Sequence, residues 1–352
     1  MAKILMKGNE AMAEAAIQAG CQAFFGYPIT PQSEIPEYFS RELPPKGGIF
    51  LQAESEMAAM NMVMGASAAG ARVMTSTSGP GFCLKLEALA AMTLTRLPAV
   101  IVVVMRSGPA FGTMKAAQED YRMCGNGGYR VVTMAPSDVQ EAASMVYEAF
   151  DIADQYRNPV VIMADGMIGQ MMGGVDFEKM PPKRENLPTK DWALRGSDSR
   201  DGKAQAILFP VGQAHYIEKH IAETEVYPEI IKNETRVEVI DVEDADIVLV
   251  AYGTAARMCK AAKEALAGEM KVGIIRPKTL WPFPYDAFEQ IGSNCKAIIC
   301  PEINIIGQMI DDVRIAAAGR WPVSHVGDSR TDFLTPSAII EKTRQIWKEV
   351  TV

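Results

Sequence analysis

The strongest constraint on the fold is an unbroken apolar run, Ala99–Met105, which is rich in β-branched residues. A strand that is apolar on both faces is typical of a parallel sheet covered by helices on each side. From residue 1 to about 170, short strands are predicted to alternate with helices such as 55–69 and 82–95. This alternation predicts a doubly wound parallel α/β sheet.

The regular pattern ends after residue 172. We expect residues 173–245 to form a linker and an irregular connecting segment, because the stretch is polar and weakly patterned. A second series of alternating strands and helices begins at Asp246 and predicts a smaller α/β domain over residues 246–352. Two domains, with the first over residues 1–172, suit a chain of 352 residues.

Composition excludes several functional classes. A net charge of −8 and a pI near 5.2 argue against nucleic-acid and anionic-membrane partners. The most apolar run, 97–105, is too short to span a bilayer, and no signal peptide is recognisable at the N-terminus. The six cysteines are scattered without a C-x-x-C pair, so we expect a reduced cytoplasmic protein with neither an iron–sulfur cluster nor a metal site of its own.

The segment Tyr27-Pro28-Ile29-Thr30-Pro31 directly follows a predicted strand, 22–26. It forms a rigid Pro-x-x-Pro corner that bears a hydroxyl group. Open α/β sheets bind ligands at the carboxyl ends of their strands, so the corner is a candidate binding loop. A second interpretation, that Thr30 simply caps the following helix, is equally compatible with these residues.

Two acids, Glu54 and Glu56, begin an otherwise apolar helix, and the fourteen residues after Glu56 carry no charge. A carboxylate at a helix N-terminus is often only a partner of the helix dipole. In apolar surroundings, however, a carboxyl group can keep a raised pKa and hold a proton. The residues alone do not decide which of the two acids would do so.

Two further motifs follow strands. The turn Thr77-Ser78-Gly79-Pro80-Gly81 allows a close approach of the backbone to a ligand, but it lacks the glycine patterns of nucleotide-binding loops. This argues against a nicotinamide-binding protein. Arg106 directly follows the buried strand 99–105 and suits a bidentate contact with a small carboxylate. Alternatively, it pairs with Glu119 or Asp120 and orders its own loop.

Together these motifs resemble the pyrimidine-binding domain of thiamine-diphosphate enzymes, and most of all the α subunits of 2-oxoacid:ferredoxin oxidoreductases, over nearly the whole chain. Residues 246–282, with Tyr252-Gly253-Thr254, look like a transketolase C-terminal-type domain, and residues 301–309 resemble its subunit-contact segment. The length and the stretch Asn126–Tyr129 are most similar to subunits of the 3-methyl-2-oxobutanoate (2-ketoisovalerate) enzymes.

The resemblance implies roles for individual residues. It places Glu56, rather than Glu54, at the glutamate that contacts N1′ of the aminopyrimidine. Thr30 would face the thiazolium carbon and the substrate as a second catalytic residue, and Arg106 would meet the substrate carboxylate, with Ile29 beside it. The remaining cofactor-binding positions that it implies are Tyr27, Pro28, Ser78 and Gly79.

The resemblance also implies partners. Thiamine enzymes bind the diphosphate and Mg²⁺ through Gly-Asp-Gly and a later Asn, whereas the nearest match here is Ala164-Asp165-Gly166, with Asn186 too close. A β subunit would therefore supply Mg²⁺ and the diphosphate half of the site. A γ subunit and a ferredoxin-like δ subunit would complete the complex, with [4Fe–4S] clusters on partner subunits only and with ferredoxin and coenzyme A as cosubstrates.

The expected activity is oxidative decarboxylation of a 2-oxoacid to acyl-coenzyme A, CO₂ and reduced ferredoxin. The loop 107–113 is apolar, and the next basic residue after it is Lys115, so a branched aliphatic acid such as 3-methyl-2-oxobutanoate is favoured. A 2-oxoglutarate or pyruvate enzyme is the alternative within the family. A non-catalytic assembly subunit is the alternative outside catalysis.

Overall fold

The computed structural model describes residues 3–108, 112–123, 128–196, 207, 209–329 and 332–351. Its strands are β1 (Ile4–Lys7), β2 (Ala23–Gly26), β3 (Ile49–Gln52), β4 (Val73–Thr77), β5 (Val100–Met105), β6 (Val132–Met134), β7 (Val160–Asp165), β8 (Met172–Val175), β9 (Val237–Ile240), β10 (Ile247–Val250), β11 (Val272–Pro277), β12 (Thr279–Trp281), β13 (Ala297–Pro301) and β14 (Val323–Val326).

The α-helices of these ranges are α1 (Gly8–Gln18), α2 (Glu34–Glu42), α3 (Glu56–Ala68), α4 (Gly79–Leu94), α5 (Val139–Tyr156), α6 (Gly166–Gln170), α7 (Gln213–Ile221), α8 (Tyr227–Glu234), α9 (Gly253–Leu266), α10 (Ile310–Ala317) and α11 (Pro336–Thr351). None of them combines the length and the apolar character that crossing a bilayer requires.

The larger sheet has seven strands in the order β12-β6-β7-β5-β4-β2-β3, and every neighbouring pair is parallel except β12 with β6. Strand β5 lies at its centre with every residue buried. Its odd-numbered residues pack with Met60 of α3 and Phe82 of α4. Its even-numbered residues pack with α1 and α5 on the opposite face. The predicted doubly wound sheet is therefore confirmed.

The order of the strands creates a switch point. The chain runs from β2 to its neighbour β3 and then crosses back over β2 to form β4 on the other side. From β4 the chain continues to β5, so the connections that follow the neighbouring carboxyl ends of β2 and β4 leave in opposite directions. Doubly wound sheets bind ligands at such a point.

The smaller sheet, β14-β13-β10-β11-β9, is parallel except for the edge strand β9. This confirms the predicted second α/β unit. The expectation of an irregular segment over 173–245 was wrong for much of that stretch, because it contains α7, α8 and β9. Strand β8, which spans its start, pairs with β1. These short strands form through pairing with distant strands, which local periodicity does not reveal. The domain limits at 172 and 245 stay predictions.

The residue pattern also predicts Ser137 as the N-cap of a helix over 137–154, a helix over 285–291 and a helix over 306–318. The structure corrects each of these three predictions. The N-cap of α5 is Asp138, whose carboxylate accepts from Glu141 N at 2.8 Å, and not Ser137. The helix expected over 285–291 is a 3₁₀-helix. The helix expected from Ile306 begins at Ile310, because the buried carboxylate of Glu302 accepts hydrogen bonds from the backbone amides of residues 308–310.

Gln118 joins the two halves of the chain. This fully buried side chain accepts from Ile303 N at 3.0 Å through Oε1 and donates to Tyr252 O at 3.0 Å through Nε2. Its backbone N–H donates to Ile303 O at 2.8 Å. The loop that carries Gln118 is thereby held to the second sheet.

A buried ion pair also joins the halves. Arg276 of β11 is 4% exposed and binds both carboxylate oxygens of Glu141 at 2.8 and 2.9 Å. It also donates to Glu238 Oε2 at 2.6 Å. Burial by itself would raise the pKa of Glu141, but the hydrogen bonds and charge of Arg276 outweigh it and lower this pKa to about 2.

We expect this pair to make stability depend on pH. The pKa of Glu141 falls on folding from 4.5 to about 2, so its contribution is complete above pH 4.5 and is lost as the pH falls towards 2. Thermal unfolding of Glu141→Gln should therefore depend less on pH than that of the wild type between about pH 5 and about pH 3. Glu264→Gln, at an exposed position, is the control and should follow the wild type; equal pH dependence of all three proteins would contradict this assignment.

Candidate functional site

The loop after β2 is fixed by buried hydrogen bonds on its inner side and is exposed to solvent on its outer side. The buried side chain of Gln32 donates to Tyr27 O at 3.2 Å and also pairs with Ser76 of β4. Pro31 O accepts from Asn9 Nδ2 at 2.7 Å, and the Thr30–Pro31 peptide bond is cis. Thr30 itself is exposed at the top of the loop. The remaining predicted loop positions are half-buried at Tyr27 and Ile29 and exposed at Pro28.

Arg106 fastens this loop to the end of β5. Its side chain is almost fully buried, and Nη1 donates to Thr30 O at 2.9 Å. In the described part of the chain it makes no ion pair with Glu119 or Asp120, which was the alternative interpretation. Glu119 instead accepts from Ser107 Oγ and Gly108 N. The predicted substrate loop continues through residues 109–111, which lie outside the described residues.

Asp120 lies on the other side of the turn that follows β4. Its Oδ2 accepts from Gly79 N at 3.3 Å. Burial raises the pKa of Asp120 to about 7, although the Gly79 hydrogen bond and the charge of Arg106 oppose this. Sequence reasoning considered Asp120 only as a partner of Arg106, and the structure places it within the site.

Glu56 and Glu54 have different surroundings. Ser55 is the N-cap of α3 and accepts from Ala58 N at 3.2 Å, so Glu56 is the first helical residue and is 7% exposed, whereas Glu54 is exposed outside the helix. The Glu56 carboxylate packs against Gly81: a Cβ built there would lie 2.5 Å from Glu56 Oε1 and 2.4 Å from Thr77 Oγ1. A glycine at position 81 is thus what admits this carboxylate to the turn.

Lys85 of α4 is a site residue that sequence reasoning missed. It is fully buried, and its Nζ donates to Glu56 O at 3.2 Å and to Thr75 Oγ1 at 3.0 Å. Burial lowers the pKa of Lys85 to about 7, and the charge of Glu56 opposes this. The sequence did contain a signal, because position 85 is three residues after Phe82 and four before Leu89, on the apolar face of the helix.

Four buried polar atoms around Gly79 have no hydrogen-bond partner among the described residues. They are Thr77 Oγ1, Ser78 Oγ, Arg106 Nε and Asp120 Oδ1. Ser78 holds the N-cap position of α4, yet its hydroxyl makes no capping bond. An unpaired buried polar atom costs about 1–3 kcal/mol, so such a cluster indicates a site built for a polar ligand. The structure therefore brings Glu56, Ser78, Gly79 and Arg106 together, with Thr30 on the rim.

Asp165, in the segment that most resembles a diphosphate-binding motif, makes structural hydrogen bonds within the chain. Asp165 is fully buried and accepts from Thr254 N at 2.8 Å and from Thr254 Oγ1 at 2.7 Å. A third contact comes from Ile168 N at 3.2 Å. Its carboxylate thus links β7 to α9 across the two sheets. Among the described residues, no three His, Cys, Asp or Glu side chains are grouped so that they could hold a metal ion.

Comparison with known families agrees with this geometry. The family model described as pyruvate flavodoxin/ferredoxin oxidoreductase, thiamine diphosphate-binding, matches residues 14–238. The model for core domain II of pyruvate:ferredoxin oxidoreductase matches residues 245–336. The chain belongs to this oxidoreductase family. The resemblance inferred from the motifs is therefore confirmed.

Two relatives of similar coverage carry the names of different substrates. The chain is 41% identical to ketoisovalerate oxidoreductase subunit VorB of Methanothermobacter marburgensis, over 98% of each chain. It is 33% identical to 2-oxoglutarate synthase subunit KorA of Archaeoglobus fulgidus, over 96% of this chain and 97% of the relative.

Solved structures show the same fold. The 2-oxoglutarate:ferredoxin oxidoreductase from Magnetococcus marinus, solved with 2-oxoglutarate, coenzyme A and succinyl-CoA bound, has a TM-score of 0.85 at 26% identity. The match covers 98% of the present chain and 65% of the Magnetococcus marinus chain. A split-gene transketolase in an inactive tetramer has a TM-score of 0.63 at 16% identity, which shows a shared fold.

Proposed function

We propose that this chain is the α subunit of a thiamine diphosphate-dependent 2-oxoacid:ferredoxin oxidoreductase. The complex would oxidise a 2-oxoacid with coenzyme A to acyl-coenzyme A, CO₂ and reduced ferredoxin. The observation that carries the proposal is the buried carboxylate of Glu56, which begins α3 beside a cluster of unpaired polar atoms at the switch point of the sheet. Membership of the family supports the same reaction.

The residues of this site fit the pyrimidine half of the cofactor. Thiamine diphosphate, when bound, supplies the electron sink for decarboxylation. Glu56 would hold the proton at N1′ of the aminopyrimidine, and the unpaired Ser78 hydroxyl and the Gly79 backbone would line the ring. Tyr27 and Pro28 would form the opposite wall.

The substrate would meet residues from two strand ends. Arg106 has one nitrogen bound to Thr30 O, and its unpaired Nε leaves donor capacity for a carboxylate. The same contact sets the position of the Thr30 loop relative to the guanidinium. Thr30 would then face the reacting carbon, and Ile29 would contact the substrate chain.

The diphosphate, Mg²⁺ and the iron–sulfur clusters would come from partner subunits. Helices α3 and α4 are apolar, yet both expose large side chains, including Met57, Met62 and Leu84. Helices that are apolar on every side are normally buried. We assign this surface, which begins next to Glu56, to the β subunit.

A second exposed segment suits further subunits. Ile305 and Ile306 lie on the surface within the segment 301–309, which we assign to subunit contact. The γ subunit, the ferredoxin-like δ subunit and ferredoxin would complete the electron path. The buried Cys21, Cys259, Cys295 and Cys300 form no disulfide bond among the described residues, which suits a reducing cytoplasm for the complex. An assembly subunit without catalysis is disfavoured, because it has no use for unpaired polar atoms beside Glu56.

Substrate choice tests the proposal at the level of the complex. Lys115, the nearest extra cation in sequence, donates to Asp328 Oδ2 at 2.7 Å and lies 3.7 Å from the centre of the Phe333 ring. Its charge is therefore engaged, whereas a buried second carboxylate would need a free cation. We propose 3-methyl-2-oxobutanoate and similar branched acids, with 2-oxoglutarate and pyruvate as the alternatives.

We expect the complex co-expressed with its partner subunits to reduce viologen with coenzyme A and 3-methyl-2-oxobutanoate at a higher kcat/KM than with 2-oxoglutarate or pyruvate. Asp328→Asn weakens the ion pair with Lys115. It should therefore reduce the ratio of kcat/KM for 3-methyl-2-oxobutanoate to kcat/KM for 2-oxoglutarate. Absence of turnover with all three acids would refute the proposed function. A preference for 2-oxoglutarate would refute only the substrate assignment.

Glu56→Gln should lower kcat of the complex by about two or more decades, because an amide cannot exchange a proton with N1′. The matched control is Glu54→Gln, two residues away and exposed, which should have a milder effect. Assembly of both variants is followed by size-exclusion chromatography. If the two variants exchanged their effects, the acid would be Glu54.

Arg106→Met should raise KM for the 2-oxoacid by about 10- to 150-fold, the equivalent of 1.5–3 kcal/mol for a lost charge-assisted hydrogen bond. The affinity for thiamine diphosphate, measured by tryptophan fluorescence, should stay unchanged. Lys115→Met removes a cation that Asp328 already engages and serves as the control. An unchanged KM in Arg106→Met would transfer the carboxylate contact to another residue.

A further inference from the structure

Asp120 is a fully buried acid that the mechanism above does not use. Its Oδ2 accepts from Gly79 N at 3.3 Å, whereas its Oδ1 has no partner among the described residues. No ion pair in the described part of the chain includes it. An ionised carboxylate in this place would be a buried charge with a single long hydrogen bond, so its neutral form is favoured.

The contacts of Asp120 decide which oxygen carries the proton of the neutral form. A neutral carboxyl group has one oxygen that only accepts and one that bears the O–H donor. Because Oδ2 already accepts from a backbone amide, the proton belongs on Oδ1. Oδ1 is therefore a buried donor that lacks an acceptor within the described residues.

A second unpaired donor lies against the same glycine. A Cβ built at Gly79 would lie 3.7 Å from Arg106 Nε and 3.0 Å from Gly108 O. Nε is buried and also lacks a partner among the described residues, whereas Nη1 is bound to Thr30 O. Two unpaired donors thus flank Gly79, and two donors match the two oxygens of a ligand carboxylate.

We propose that Asp120, in its neutral form, is a second substrate-binding residue of the site: its Oδ1–H donates to one oxygen of the 2-oxoacid carboxylate, while Arg106 Nε donates to the other. This inference rests on the proposed function, in which Arg106 binds that carboxylate. An ionised Asp120 would set a negative charge beside that of the substrate and would offer it no donor. Binding above the pH at which Asp120 ionises must therefore take up a proton from solvent.

The charges around Asp120 set that pH. Burial raises the pKa of Asp120 to about 7, its backbone hydrogen bond opposes this, the charge of Glu119 raises the pKa further, and the charge of Arg106 lowers it. The other titratable neighbours are the thiol of Cys83 and the phenol of Tyr252. Burial is the main cause that raises both of their pKa values, and the charge of Asp120 adds to it, so neither group ionises near neutral pH.

The test compares the wild-type complex with Asp120→Asn and Asp120→Leu. The amide of Asn has nearly the shape of the neutral acid, and at every pH it can accept from Gly79 N and donate to a ligand. Leu has a similar size and can do neither. The first readout is the pH dependence of KM and kcat for whichever of 3-methyl-2-oxobutanoate, 2-oxoglutarate and pyruvate is turned over best. The second is proton uptake when 3-methyl-2-oxobutanoate binds to the thiamine-free complex, from titration calorimetry in two buffers of different ionisation heat.

The wild-type KM should be lowest below about pH 6 and should rise by nearly tenfold per pH unit above about pH 7.5, because only the protonated fraction of Asp120 then binds the anion. Binding at about pH 8 should take up about one proton. Asp120→Asn should show neither the rise nor the uptake. Asp120→Leu should raise KM about 10-fold or more at every pH below 7, as expected for a lost hydrogen bond to a charged group.

Two variants are matched controls. Glu119→Gln changes the neighbouring acid of the same loop, whose carboxylate accepts from Gly108 N. The rise in KM should persist and begin at a slightly lower pH, because the charge of Glu119 raises the pKa of Asp120. Lys85→Gln removes another group with a pKa of about 7, and the rise and the proton uptake should persist in this variant as well.

A wild-type KM that stays constant between about pH 6 and about pH 9 would overturn the inference, as would a rise that persists in Asp120→Asn or is lost in Lys85→Gln. If Asp120→Leu does not assemble, Asp120→Asn decides the matter. A complex that turns over none of the three acids would instead refute the proposed function, and the calorimetric proton uptake would then still report whether Asp120 meets the bound anion.

Discussion

Parallel pairing of three neighbouring strands is the constraint on which the site depends. Strand β4 pairs with β2 on one side and with β5 on the other, so the three carboxyl ends lie at one edge of the sheet. The chain leaves β2 towards β3 on one side and leaves β4 towards β5 on the other, so the two connections diverge at this edge. The turns that follow the strands can therefore contact each other directly, as Arg106 and Thr30 do at 2.9 Å.

The second domain supports this edge from the side. Gln118 holds its loop to Tyr252 and Ile303 through buried hydrogen bonds, and Asp120, which contacts Gly79, follows two residues later. The same loop pairs with Arg106 through a bridge at Ala116. The positions of Asp120 and Arg106 thus depend on contacts made outside the larger sheet. A chain that contained the larger sheet alone would lack these contacts.

The parts of the fold that could be predicted are those with a local physical signature. The run 99–105 must be buried on both faces because it has no polar side, and together with the alternation of strands and helices it indicated the parallel sheet. Strands β6 and β12 were missed because three residues carry no periodicity and their pairing joins distant parts of the chain. Glu56 could not be separated from Glu54 by spacing, since the choice depends on where the helix begins. Lys85 was missed because a single lysine in a helix suggests an exposed position, whereas packing against its neighbours decides the face.

The energetic balance of the site follows from the same geometry. Thr77, Ser78, Arg106 and Asp120 each keep a buried polar atom without a partner in the described part of the chain, and the fold bears that cost before any ligand arrives. Groups held in this way need no reorganisation when a ligand reaches them, which is the condition for strong electrostatic effects in a site of low polarity. Glu56 differs from these groups, because its backbone carbonyl accepts a hydrogen bond from the buried Lys85 at 3.2 Å. On the proposed function, the unpaired atoms serve recognition, whereas Lys85 holds the first turn of the helix that carries the acid.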